Sequence, residues 1–298
     1  MARQITLASI RAKAQTVSDL ATALSAFSVY EFNRAINDAK AALYDELTSN
    51  FQDDYCVPAT LTLTPDSDPS AQGQFSALLP GTGPNWALDT VYAVGDVRHA
   101  AQVDSQGNVT ASWNSYVCTA PGTSALVGNG PQGTGTGIAD GVGTTWDFVP
   151  SFLKLLLCQA QLGGADWTTI DRYNLRELDI DRSGFGRWLG GTYRWMRYQL
   201  RGTSKIYVQP SPPPATVIRI QYIPVQPDLV LDTDLLDGVN GWEELVCYDA
   251  AIEACFKQNL VTDQLEAKRA QIAERIRANS PNRDAANPER VRNVRPEW

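Results

Sequence analysis

The longest helical stripe in the chain lies near its C-terminal end, from about Gly241 to Asn279. Leu245, Tyr248, Ile252, Phe256, Leu260, Leu265, Ile272 and Ile276 mostly recur at helical spacing, so one face is apolar and needs a partner surface. Asn240 with Glu243 three residues on reads as a capping-box variant, Glu253 and Lys257 stand four apart, and Pro281 stops the helix. Two more stripes sit at the other end. Residues 5–25 carry Ile5, Leu7, Ile10, Ala14, Val17, Leu20 and Leu24, and residues 29–49 carry Phe32, Ile36, Ala39, Leu43 and Leu47. Helices at the two ends are expected to bury their stripes on one another as a bundle.

Between them the period changes. "ATLTLT" (59–64) alternates like a half-buried strand, and "PDSDPSAQGQ" closes it as a loop. "SFLKLLLCQAQL" and "WTTIDRYNLRELDI" suggest a strand pair and a short helix. "KIYVQP" and "TVIRIQYIP", separated by "SPPPA", read as a β-hairpin. The expected class is therefore α+β. At 298 residues and 43% hydrophobic the chain can bury a real core. No run of 18 apolar residues predicts a membrane span. The N-terminal "MARQITLASIRAKAQTVSDL" has no apolar run followed by a cleavage site and reads as mature protein. Cys56, Cys118, Cys158, Cys247 and Cys255 are odd in number and form no CxxC pair, which points to reduced thiols made in a cytoplasm.

Net charge is −8, so the whole should repel nucleic acid. The distribution is uneven: Lys268–Trp298 holds eight Lys/Arg against four acids, +4, which leaves −12 elsewhere. The last stretch, "NRDAANPERVRNVRPEW", is too polar and proline-punctuated to pack a core, so a partner must order it.

Catalytic patterns fail one by one. A single histidine, His99, placed in the Gly-rich middle stretch, leaves Ser-His-Asp, Cys-His and multi-histidine metal sites excluded or crippled. No GxxxxGK[ST] occurs, and "GTGTGIADG" (133–141) lacks the strand-to-helix context of a phosphate loop. "DIDRSG" (179–184) begins like a calcium loop, but Arg187 and Gly190 stand where its ninth and twelfth ligands belong. Asp53/Asp54 reads as solvated turn surface. "GRWLGGTYRWMRYQLRG" (186–202) interleaves Arg187, Arg194, Arg197 and Arg201 with Trp188, Tyr193, Trp195 and Tyr198. That composition suits a protein interface better than nucleic-acid stacking in an acidic chain. No catalytic residue, cofactor or metal is expected, and the chain reads as a non-enzyme.

Residues 231–294 resemble the C-terminal part of head-to-tail adaptor (connector) proteins of tailed bacteriophages. The resemblance lies in "DGVNGWEE" (237–244), "DAAIEA" (249–254), "AERIRANSPNRDAANPERV" and the basic tail. The strand region 197–230 and "YEFNRAINDAKAALYDELTSNFQDDY" (30–55) fit the same family, so the likeness covers about three quarters of the chain. It implies a virion structural protein of the neck, made in the bacterial host cytoplasm. Such a protein forms a ring, usually dodecameric, beneath the portal, joins it to a tail or nozzle protein, and passes double-stranded DNA. Arg283, Arg290, Arg292, Arg295 and Trp298 become candidates for an arm docking on the portal or a neighbour. Arg187, Trp188, Arg194, Trp195 and Trp242 become candidates for the subunit interface.

One segment stands apart. Joining "ALLP", ending at Pro80, to "SFLKL" gives the short step usual in that family, so 81–150 reads as an insertion. Its "NWALDTVYAVGDVR", "SYVCTAPGTSA" and "TTWDFVP" resemble the small β modules of chitinase-type carbohydrate-binding domains. Trp86, Tyr92, Tyr116 and Trp146 would be the aromatics of a compact three-stranded unit. They serve either as its core or, in the alternative reading of a virion glycan-binding attachment protein, as sugar platforms. The expected domains are an adaptor core (1–80 and 151–279), the module (81–150) and an extended arm (280–298).

Overall fold

The computed structural model describes residues 5–18, 28–50, 55–66, 75–104, 106–161, 166–173, 196–202, 204–209, 216–236 and 242–279. The chain is α+β and divides into two compact units, Met1–Phe51 with Asp232–Trp298, and Gln52–Leu231.

The first unit is helical. Helix α1 (Leu7–Val17) starts where the Thr6 hydroxyl accepts the Ser9 N–H, and Leu7, Ile10 and Ala14 are buried. Segment 232–236 lies beside that start: Leu7 N–H donates to Asp234 O and Leu236 N–H to Ile5 O, each at 2.9 Å. Helix α2 (Val29–Asn50) opens with a reciprocal capping box. The Glu31 carboxylate accepts Ser28 N–H at 2.8 Å and the Ser28 hydroxyl accepts Glu31 N–H at 3.3 Å.

The expected single C-terminal helix is two helices, α3 (Glu243–Lys257) and α4 (Asp263–Asn279). The break is a Schellman turn: Leu260 N–H reaches Cys255 O, Asn259 N–H reaches Phe256 O, and Asn259 takes the left-handed φ of 55°. The N-cap of α3 is Trp242, without a side-chain cap bond; Asn240, the expected cap, lies outside the described residues. Lys257, expected to pair with Glu253, instead forms an ion pair with Glu31. Helix α3 packs on both α1 and α2, and α4 on α3. Its buried Ala250, Ala251 and Ala254 allow close approach, and Cys247 and Cys255 reach the Ile10 and Ser18 carbonyls at 3.8 Å.

The second unit is built of strands. In order they are β1 (Val57–Thr62), β2 (Thr64–Pro65), β3 (Phe75–Leu78), β4 (Val91–Tyr92), β5 (Val97–Val103), β6 (Val109–Ala120) and β7 (Gly122–Thr123). Then come β8 (Ile138–Asp140), β9 (Thr144–Val149), β10 (Phe152–Gln161), β11 (Trp167–Thr169), β12 (Asp171–Arg172), β13 (Arg197–Arg201), β14 (Lys205–Gln209) and β15 (Val217–Pro224). Two sheets, β1-β15-β10-β11 and β12-β13-β14-β3-β2, share one core. Along β15 the alternation puts Ile218, Ile220 and Tyr222 inside and leaves Arg219 and Gln221 less buried.

The hairpin expected from "KIYVQP" and "TVIRIQYIP" does not form. Strand β14 pairs with β13 and β3, whereas β15 pairs with β1 and β10 in the other sheet. Three consecutive prolines cannot make a tight two-residue turn, while Gly202, at φ 61°, lets β13 turn into β14. Of the strand pair and short helix expected from "SFLKLLLCQAQL" and "WTTIDRYNLRELDI", β10 and β11 form the pair, and 174–180 lies outside the described residues.

Strands β4 to β9 form their own sheets, β5-β6-β9-β8 and the pair β4-β7, rather than three strands, around a separate core. No helix among the described residues is long and apolar enough to cross a membrane.

Candidate functional site

The four aromatics singled out in 81–150 do one job together. Tyr92, Tyr116 and Trp146 are at most 1% exposed, with Ala100 and Cys118 between them and Trp86, Ile138 and Phe148 packed around. Tyr92 meets Trp146 edge-on at 5.0 Å between centroids, and Tyr116 meets Phe148 edge-on at 6.2 Å. Arg98 lies over the Tyr92 ring at 5.1 Å. Tyr92, Tyr116 and Trp146 are thus enclosed as core, whereas Trp86 is only partly buried.

Their polar edges are matched with equal care. Asp140, 7% exposed, accepts the Trp86 indole N–H at 2.7 Å and the Trp146 indole N–H at 3.2 Å on one oxygen, and Ala125 N–H at 3.1 Å on the other. Tyr92 Oη accepts Ala87 N–H and donates to Ala87 O, and Tyr116 Oη donates to Gly133 O at 2.7 Å. Cys118 is 1% exposed, its thiol is raised by burial first and by nearby Asp96 second, and it donates to Ala120 O. It packs as a small hydrophobe in the core.

The root of these strands is a second cluster. Phe152 N–H donates to Pro80 O at 3.0 Å, so the chain leaves and re-enters at one place. Val225 N–H donates to Ser151 O, and the Tyr222 hydroxyl to Pro150 O, both at 2.8 Å. Gly81, at φ 76°, lies so close to Ser151 that a Cβ would sit 2.6 Å from its Cα. Above this contact His99 and Ser115 face one another across β5 and β6.

Sequence reasoning missed His99, Ser115 and Ser151 as a group because their meeting depends on strand register. It also missed Trp113, 51% exposed. The signal for Trp113 was available: in "SWNSYVC" it lies three residues before Tyr116 and so on the opposite face of β6.

Of the interface candidates, Trp242 is partly buried at the start of α3, with its carbonyl accepting Leu245 N–H at 3.0 Å. Arg187, Trp188, Arg194 and Trp195 lie outside the described residues, as do Arg283, Arg290, Arg292, Arg295, Trp298 and the "DIDRSG" loop. Among the described residues no cluster of His, Cys, Asp and Glu could hold a metal ion. No protein-family model matches this chain, and no curated protein matches it.

Proposed function

We propose that this chain is a structural, non-enzymatic neck protein of a tailed bacteriophage, a head-to-tail adaptor. It would form a dodecameric ring beneath the portal, bind a tail or nozzle protein below and let double-stranded DNA pass. The observation that carries the reading is the pairing of the two chain ends. Helix α3, entered at Trp242 and holding "DAAIEA", packs on α1 and α2, and α4, which holds "AERIRAN", packs on α3. Beyond Asn279 the sequence continues as the basic segment with Arg283, Arg290, Arg292, Arg295 and Trp298. In this reading that segment is the arm that docks on the portal or a neighbour, gaining interface to offset its ordering entropy. Arg187, Trp188, Arg194, Trp195 and Trp242 serve the contact between subunits.

Residues 81–150 are, in the same reading, a graft on the adaptor. The Pro80–Phe152 hydrogen bond and the separate aromatic core support this. Val91, Leu126, Val127 and Val142 are each more than 70% exposed, which suits a module that touches a neighbouring protein rather than a sugar. Native mass spectrometry and cryo-electron microscopy of the full chain with a portal test the assignment. Rings seated on the portal are expected; a strict monomer that neither assembles nor binds it would overturn the proposal.

A further inference from the structure

The hydrogen bonds around His99 leave one proton arrangement. Gly83 N–H points at Nε2 at 3.1 Å, and a backbone amide can only donate, so Nε2 carries the lone pair. The neutral ring therefore holds its proton on Nδ1 and donates it to Ser115 Oγ at 3.0 Å. Ser115 donates its own proton to Gly81 O at 2.9 Å, so the 3.2 Å contact with Ser151 is a bond donated by Ser151. With one donor and two acceptor positions used, the Ser115 hydroxyl, in a residue 1% exposed, is saturated. The backbone adds two more ties, His99 N–H to Pro84 O at 3.0 Å and Trp86 N–H to His99 O at 2.8 Å.

A second proton has one place to go, Nε2, where it would confront the Gly83 N–H donor against donor. Among the described residues the surroundings provide no charge that favours it. On β5, Arg98 faces the Tyr92 ring and Asp96 pairs with Arg98 at 3.7 Å. The facing residue of β6 is Ser115, and the 81–84 segment brings backbone and Thr82. On β9 the nearest acid, Asp147, pairs across from Val117 in the adjoining row and accepts Gly137 N–H at 2.7 Å. Beyond Ser151, β10 brings Lys154, and Asp228 is taken by Ser112 at 2.6 Å.

We propose that the Gly83–His99–Ser115–Ser151 chain is a proton-sensitive latch at the root of the 81–150 module. Neutral, it pins the 81–84 segment to the sheet; charged, it releases that segment. Burial also lowers the affinity of the ring for its second proton below the ordinary 6.5. The sign follows: the contribution is whole above the unfolded value of 6.5 and is lost as pH falls through the lower folded value. The latch belongs to the module root and holds whether or not the chain forms a ring.

Because His99 is the only histidine, deuterium exchange at its Cε1–H, read by mass spectrometry on the full protein across pH, reports its titration without ambiguity. Amide exchange of peptides spanning 80–86, corrected for intrinsic rates, reads the segment. Between about pH 7.5 and about pH 5 protection there is expected to fall about five- to tenfold, the loss of one net hydrogen bond, with β14 peptides unchanged. His99→Gln, which accepts from Gly83 at every pH, should abolish the pH dependence. A His99 titration at or above 6.5 would overturn the latch, as would flat protection at 80–86 in the native protein or an unaltered pH dependence in H99Q. Should H99Q fail to fold, the two readouts on the native chain still decide.

Discussion

Asp140→Ala removes an acceptor that three donors share, and the cost can be worked from their surroundings. The Trp146 indole N–H sits in a residue with 0% exposure, so it finds no water when the carboxylate goes. One enclosed orphan donor costs about 1–3 kcal/mol, and the lost charge-assisted bond from Ala125 N–H adds about 1.5–3 kcal/mol. Trp86 is only partly buried, and its N–H can turn to solvent at small cost. No longer holding a carboxylate out of water returns part of this, for a net loss of about 2–4 kcal/mol. A core of five buried residues has little to spare. Hydrogen-exchange mass spectrometry should therefore show β6 and β9 losing protection by about 30- to 1,000-fold while α3 holds. Asp140→Asn keeps one accepting oxygen and should lose about half as much. Protection in β9 falling less than threefold in Asp140→Ala, or falling equally in α3, would refute the clamp.

Four other outcomes are expected. Replacing 81–150 by a short linker from Pro80 to Ser151 should keep the two sheets that share the larger core, since Pro80 O and Phe152 N are 3.0 Å apart; circular dichroism and native mass spectrometry check it. Asn259→Val forces a β-branched residue into a left-handed conformation and should cost about 1–2 kcal/mol in urea unfolding, whereas Asn259→Gly is near neutral. Burial pushes the Cys158 thiol up to about 12 and the Cys247 thiol up to about 11, so peptide mapping after alkylation at mildly alkaline pH should find both unmodified until the chain is denatured. The Lys257 bond, followed by those from Ser28, lowers the Glu31 carboxyl from 4.5 to about 2. Its contribution is therefore whole above 4.5 and lost as pH falls through about 2, and Glu31→Gln should flatten acid unfolding across that window.

The helical stripes were legible because their burial follows from period alone. Leu7, Ile10 and Ala14 of α1 and Phe32, Ile36, Leu43 and Leu47 of α2 are all buried where the spacing places them. The break between α3 and α4 was harder to read because Phe256 and Leu260 keep the period across it. Yet Phe256 is 77% exposed, and the stop is carried by one residue, Asn259, which a stripe does not weigh. The "SVYE" capping box at 28–31 is a local signal, a Ser followed three residues later by a Glu, and is legible in the sequence. Neighbours in sequence are not always neighbours in a sheet, and β14 and β15 belong to different sheets. What separates β14 from β15 is their partners, β3 and β1, more than a hundred residues upstream, and those pairings leave no local trace.

The module shows the opposite relation between sequence and site. Its aromatics are recognisable one by one, but whether they are platform or core is decided by Asp140, an acid that no aromatic pattern includes. A carboxylate taking both indole N–H groups turns the two indoles edge inward, with Trp146 wholly buried and Trp86 partly so. With Tyr92, Tyr116 and Trp146 spent on the core, the exposed side chains of the module are others. Val91, Leu126, Val127 and Val142 are exposed aliphatic side chains, and Trp113 stands on the outer face of β6. Contact through aliphatic side chains is driven by area, whereas the Trp113 ring can also stack.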